Sequence, residues 1–168
     1  MSRVTELLII LFFSPLIIFL LLIISFIFYS FNSKKVLFWS SRIGLNNKIF
    51  LMPKFKTMKD NAPNVATHLL ENPEIYLTGL GKFLRKYSLD ELPQIYSILT
   101  GEMSLVGPRP ALFNQYDLIN LRNTYKINTI KPGITGWAQI NGRDEISIKQ
   151  KVDLDSYYFI NRSLKLVV

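Results

Sequence analysis

Two short features in the middle of the chain bring together residue types suited to phosphoryl chemistry. The first is an adjacent carboxylate pair, Asp90-Glu91; the second is Arg109, set between Pro108 and Pro110. An ionised carboxylate can attack a phosphorus atom and form an acyl phosphate. On a regular helix the next carboxylate is turned by roughly 100°. Glu91 is therefore better suited to hold Mg²⁺, which bridges diphosphate oxygens, than to share a proton with Asp90. Two prolines fix φ on either side of Arg109 and keep the backbone extended, which partly presets the guanidinium for a planar oxyanion. Helix capping is a competing explanation for the acidic pair. Ser88-Leu89-Asp90-Glu91 matches the S-x-x-E capping box, and on spacing alone capping is the commoner origin of such a tetrapeptide. In either case Asp90 is expected near a helix N-terminus, where the dipole favours its ionised form.

Further cations are candidates for phosphate contacts. Lys54 and Lys56 share one face if IFLMPKFKTM is a strand. Two cations on one face can clamp a diphosphate, but lysines guarding a solvated sheet edge are the commoner case. Arg85 precedes Asp90 by one short turn and can face the same pocket. Arg143-Asp144 follows a glycine turn and reads either as a sugar or phosphate contact or as a surface pair. Trp137 reads as core, membrane-interface or base-stacking aromatic. Asp153 and Asp155 read first as a solvated helix face. His68 is the only histidine and cysteine is absent, which excludes a thiolate or His-cluster zinc site, a thiol nucleophile and disulfides.

The elements that must position these groups follow from composition and pattern. The chain has 168 residues and a net charge of +8, from 20 Lys+Arg against 12 Asp+Glu. Such a balance suits phosphates or anionic lipid. Leu7–Phe31 holds no charged residue, and its 25 residues reach roughly 38 Å as a helix, enough to span a bilayer. With that anchor, lipid headgroups and phosphate substrates outrank nucleic acid as partners. Ser14-Pro15 interrupts the run: Pro15 cannot donate to the Leu11 carbonyl, and Ser14 can bond back to a carbonyl so freed. A spanning helix and a re-entrant one are both open, and cations on both flanks (Arg3 before; Lys34, Lys35 and Arg42 after) give no clear asymmetry. After the anchor, Lys35–Ser40 and Ile49–Met58 read as extended, RIGLNNK as a turn, Thr78 as a helix cap, and Ala111–Lys126 and the stretch after Asp144 as helices. The expected fold class is α/β (α+β-like), with a short sheet and interfacial amphipathic helices. The expected organisation is a membrane anchor over 1–32 and a globular catalytic domain over 33–168.

In order after the anchor, KFKTM, LRKYSLDELPQ, GEMSLVGPRP and KPGITGWAQINGRD resemble the bacterial sugar transferases, the small monotopic phosphoglycosyl transferases. The resemblance covers about Ser14 to Leu164. It implies a re-entrant anchor broken at Ser14-Pro15, on the cytoplasmic face of the bacterial inner membrane. It implies transfer of a sugar phosphate from a UDP-sugar to polyprenol (undecaprenyl) phosphate through a phosphosugar-aspartyl intermediate, initiating surface polysaccharide or glycoconjugate synthesis. Asp90 would be the nucleophile and Glu91 the Mg²⁺-side partner; Arg85, Arg109 and Arg143 match basic family positions. Downstream glycosyltransferases are possible partners in such a role. Relatives of this kind continue beyond the point matching Val168, which keeps a second reading open, a non-catalytic membrane-tethered interaction module. A phosphodiesterase using water as acceptor is a third.

Overall fold

The structure, a computed structural model, describes residues 2–30, 35–63, 72–142 and 145–162. Among these residues the chain forms one long apolar helix and a body of short helices and two small sheets, which is the mixed class expected. The long helix, α1 (Arg3–Ser30), runs without interruption through Pro15. At the expected break, Pro15 stands inside the helix and lacks a backbone donor. Ser14 Oγ donates to the Leu11 carbonyl at 2.7 Å, supplying the bond that Pro15 cannot.

Both ends of α1 pack on the same body. Ile10 joins Phe50, Met52, Ile98 and Met103 in one core cluster, while Ile24 and Phe28 join Phe55 and Leu84 in another. Glu6 is buried, accepts from Ser104 Oγ, and accepts from the Leu105 backbone N–H at 3.3 Å. Arg3 Nη2 donates to the Ile98 carbonyl at 2.5 Å. Between these ends Leu11, Phe12, Leu16, Phe19 and Leu22 are exposed.

Strands β1 (Leu37–Ile43) and β2 (Ile49–Phe55) form an antiparallel hairpin. Its turn holds Asn46 and Asn47 at φ 53° and 60°, the left-handed region Asn tolerates better than most residues. The register pairs Phe38 with Lys54, Ser40 with Met52 and Arg42 with Phe50, so these six residues share a face. Phe50 and Met52 carry that face into the core, and Lys54 goes with them.

Helices α2 (Pro73–Tyr76) and α3 (Gly79–Lys86) follow. Thr78 caps α3 as expected, accepting from the Gly81 N–H at 2.9 Å. The segment Leu89–Gln94 is a 3₁₀ turn leading into α4 (Ile95–Leu99). Strand β3 (Ser104–Val106) pairs in parallel with β4 (Gly133–Thr135), and α5 (Tyr116–Thr124) lies in the crossover between them. The chain closes with α6 (Trp137–Ile140) and α7 (Ile148–Asn161). A third cluster, Ala111, Leu118, Ile127 and Val152, joins α5 to α7.

Candidate active site

Ser88 does not cap the segment that follows it. It sits at φ 55°, in the left-handed region, and its side chain makes no capping bond. Pro93 gives the physical reason. In an α-helix its ring would crowd the Leu89 carbonyl, so the segment winds more tightly as 3₁₀, where side chains advance by about 120° per residue. Asp90 and Glu91 occupy its first turn, and both are buried. The capping expectation fails here, and the carboxylates face inward.

Glu91 is the hub. It accepts from Lys54 Nζ at 2.9 Å, from Arg109 Nη2 at 2.5 Å and from Arg109 Nη1 at 3.2 Å. The Arg109 contact is the two-toothed fork that makes Arg–carboxylate pairs strong. Burial alone would raise the Glu91 carboxyl, but Lys54 and Arg109 outweigh it and hold the group well below the usual carboxylate range. Asp90 goes the other way. Burial raises its carboxyl and the charge of Glu91 adds to that, against the pull of Lys54 and Arg85. Two neighbouring carboxylates are thus pushed apart in acidity, the pattern that assigns different chemical roles to like groups.

The cations are perturbed in the complementary sense. Burial, then the nearby Arg109 charge, lowers Lys54 to about 8. The same two causes lower Arg42 to about 10. Arg42 donates from Nη1 to the Pro110 carbonyl at 3.1 Å and from Nε to Ser40 Oγ at 3.0 Å. Arg85 donates from Nε to the buried Thr57 hydroxyl at 3.0 Å. Four cationic side chains, Arg42, Lys54, Arg85 and Arg109, therefore act on two carboxylates, and the site has positive charge to offer an entering oxyanion.

The turn carrying Arg109 is anchored on the parallel sheet. The Gly107 N–H donates to the Thr135 carbonyl at 2.8 Å, and the Gly133 N–H donates to the Pro108 carbonyl at 3.0 Å. The approach leaves no room for a side chain: a Cβ on Gly107 would stand 2.6 Å from the Lys131 carbonyl oxygen.

The structure brings together Lys54, Asp90, Glu91 and Arg109, with Arg85 close enough to act on Asp90 electrostatically. It places Lys56 elsewhere: that ammonium pairs with exposed Asp60 at 2.5 Å, because β2 ends at Phe55 and the face shared with Lys54 ends with it. Arg143 lies outside the described residues. Sequence reasoning missed Arg42, which it left in a turn, and Arg122. It also misread Asp155, which is 1% exposed and paired with Arg122. The signal for Asp155 was present: Val152, Asp155 and Tyr158 recur at helical spacing, so the acid sits on an apolar stripe.

Magnesium can be tested against this donor set. Among the described residues no group of three His or acidic side chains converges. Two adjacent buried carboxylates do suit Mg²⁺, which is usually held by one or two carboxylates together with substrate phosphates rather than in an all-protein cage. Both Glu91 oxygens accept from Lys54 and Arg109, so an ion that arrives with a diphosphate would use Asp90 directly and Glu91 only by displacing one of those bonds.

An apolar helix is pinned at both ends to a mixed helix–sheet body, which holds a buried carboxylate pair amid excess cations. The chain belongs to the bacterial sugar transferase family, whose sequence profile it matches over residues 1–168. It is 44% identical over 131 residues to the uncharacterized sugar transferase EpsL of Bacillus subtilis, covering 78% of this chain and 63% of that protein. It is 34% identical over 167 residues to the exopolysaccharide production protein ExoY of Rhizobium meliloti, covering 90% and 72%. Against the UDP-glucose:undecaprenyl-phosphate glucose-1-phosphate transferase of Escherichia coli it is 42% identical over 123 residues, covering 70% of this chain but 26% of that protein. The chain thus spans less than two thirds of the length of several relatives it matches.

Proposed function

We propose that this chain transfers a sugar phosphate from a UDP-sugar to a polyprenol phosphate at the cytoplasmic face of the bacterial inner membrane. The observation that carries this reading is the split carboxylate pair: Glu91 locked to Lys54 and Arg109, and Asp90 beside it with no ion pair of its own among the described residues. The family match and the relative named as an undecaprenyl-phosphate glucose-1-phosphate transferase support it. In the first step an Asp90 carboxylate oxygen attacks the sugar-proximal phosphorus, the bond to the bridging oxygen breaks, and UMP leaves with that oxygen and its electron pair. Arg109 and Lys54 hold the phosphate oxygens as charge moves to the leaving group. In the second step a phosphate oxygen of the polyprenol phosphate attacks the same phosphorus. The acyl phosphate bond breaks, the Asp90 carboxylate is restored, and polyprenyl-diphosphate-sugar is the product. Mg²⁺ bound with the diphosphate would be held on the Glu91 and Asp90 side and would supply charge neutralisation.

The test is UMP release by the full chain in detergent, supplied with a UDP-sugar, polyprenol phosphate and Mg²⁺. Release that requires the polyprenol phosphate is expected. Equal release without it would assign a phosphodiesterase, and none with any of a panel of donors would assign a non-catalytic module.

The same reading makes α1 a re-entrant anchor for the domain that follows. Its 28 residues reach about 42 Å, yet Glu6 and Ile10 at one end and Ile24 and Phe28 at the other meet one body. A straight spanning helix would put about 30 Å of hydrocarbon between those ends. Cysteines placed at Ser2 and at Lys35, in a chain with none of its own, are expected to react with an impermeant maleimide from the same side of sealed vesicles. Opposite sides would reinstate a spanning helix.

A further inference from the structure

Arg122 and Asp155 lie outside the carboxylate cluster, but one guanidinium ties three parts of the body together. Arg122 Nε and Nη2 both donate to Asp155 Oδ2, at 3.0 and 2.6 Å. Its Nη1 donates to the backbone carbonyl of Arg109 at 2.8 Å. Arg122 is 8% exposed and Asp155 1%. The bridge therefore joins α5, α7 and the turn that carries the phosphate-facing arginine.

As a stabilising device the bridge is a poor choice. Removing two charges from water costs about as much as their attraction returns, and an apolar pair of similar volume often does as well or better. Burial raises the Asp155 carboxyl above its usual range even with Arg122 against it. Ala111, Leu118, Ile127 and Val152 already pack α5 on α7 at this place. What an apolar pair cannot do is donate to a carbonyl. Pro108 and Pro110 have no N–H, so the turn has few donors with which to tie itself to neighbouring backbone. Its carbonyls are fixed from outside instead: Pro108 by the Gly133 N–H, Arg109 by Arg122 and Pro110 by Arg42.

We propose that the Arg122–Asp155 pair is a positioning device for Arg109. Asp155 fixes the plane of the Arg122 guanidinium, Arg122 fixes the Arg109 carbonyl, and the Arg109 fork is thereby aimed at the diphosphate. This rests on the reading of Arg109 as a phosphate-holding group. Neither residue of the pair bonds to the carboxylates Asp90 and Glu91; Arg122 reaches Arg109 through its backbone carbonyl.

The experiment compares R122M/D155L, R109A and the triple variant in the full chain in detergent. Three quantities are read: melting temperature, kcat/KM for UMP release, and affinity for inorganic pyrophosphate by calorimetry, which needs no turnover. R122M/D155L is expected to melt close to wild type and to lose about 10²-fold in kcat/KM, the scale of a misplacement near 1 Å, with a parallel loss in pyrophosphate affinity. Arg109→Ala is expected to lose at least as much, and adding R122M/D155L to it is expected to cost nothing further. A well-folded R122M/D155L with wild-type kcat/KM and pyrophosphate affinity would overturn the proposal, as would losses that multiply in the triple variant. If the double variant does not fold, Arg122→Lys carries the same comparison, since it keeps a charge opposite Asp155 but loses the fork that reaches both Asp155 and the Arg109 carbonyl. If the wild type binds pyrophosphate but releases no UMP, the functional reading fails while the pyrophosphate arm still decides the positioning role. If the wild type does not bind pyrophosphate, the positioning proposal fails on its own.

Discussion

Asp90→Asn is expected to reduce UMP release by at least about 10³-fold, because the amide is a poor nucleophile and no second unpaired carboxylate stands in the described part of the site. The variant should fold. Burial raises the Asp90 carboxyl, so its ionised form costs the folded state free energy, and a neutral amide of the same shape is expected to leave the melting temperature unchanged or higher. A lost activity with an intact melt separates chemistry from folding. The pH profile adds a second check. The nucleophile must be ionised, so activity should fall on the acid side at a pH above the ordinary Asp value of about 3.9. Glu91 does not produce that limb, since Lys54 and Arg109 keep it ionised well below this range. Turnover retained in Asp90→Asn would end the nucleophile assignment, and an acid limb that persists in Glu91→Gln but moves to lower pH, because the Glu91 charge that helps raise Asp90 is gone, would tie the limb to Asp90.

What could be read from the sequence was set by the range of the interactions involved. Local signals carried well. The Thr78 cap, the Asn46-Asn47 turn and the two strands around it follow from neighbouring residue types, and the structure has all of them. The Ser88 reading failed because two local rules compete within six residues. The S-x-x-E pattern asks for an α-helical cap, Pro93 forbids the α-helical bond above it, and the proline prevails. Lys54 and Lys56 were a single choice in sequence, clamp or guarded edge. They separate in space because the strand ends between them and only Lys54 lies on the face that Met52 and Phe50 draw into the core. Nothing short-range distinguishes the two.

The groups that were missed depend on long-range contact. Arg42 acts on the site from β1, through the Pro110 carbonyl. Arg122 and Asp155 are 33 positions apart. The apolar stripe of α7 marks Asp155 as inward-facing, but a lone Asp on a helix is far more often solvated than buried, and its partner is set only when α5 and α7 are packed together. The same holds for α1. Its length and apolarity are plain in sequence, but the contacts of Glu6, Ile10, Ile24 and Phe28 with one body are tertiary facts.

Glu91→Gln is expected to act on stability in the opposite sense to Asp90→Asn. Replacing a functional carboxylate in a crowded acidic pair usually stabilises a fold, and relief of repulsion between Asp90 and Glu91 would work in that direction. The contacts predict otherwise. Glu91 is bonded to both Lys54 and Arg109, and Arg42 lies close enough to feel both Arg109 and Glu91. Neutralising Glu91 leaves these cations facing one another in a poorly solvated place. Breaking a buried pair from one side costs about 3–5 kcal/mol, and the lower end applies here because Arg109 is partly exposed and Lys54, already lowered to about 8, can shed its proton. A loss of about 3 kcal/mol corresponds to roughly 6–12 °C in melting temperature for a domain of this size. The pH dependence has a defined sign. Glu91 is depressed in the folded state, so its contribution is complete above the unfolded value of about 4.3 and is lost as pH falls through the folded one. The wild type should therefore approach the melting temperature of Glu91→Gln on acidification below pH about 4, while the variant changes less over that interval. A Glu91→Gln chain that melts at or above wild type at neutral pH would mean that Glu91 does not hold the cations in place.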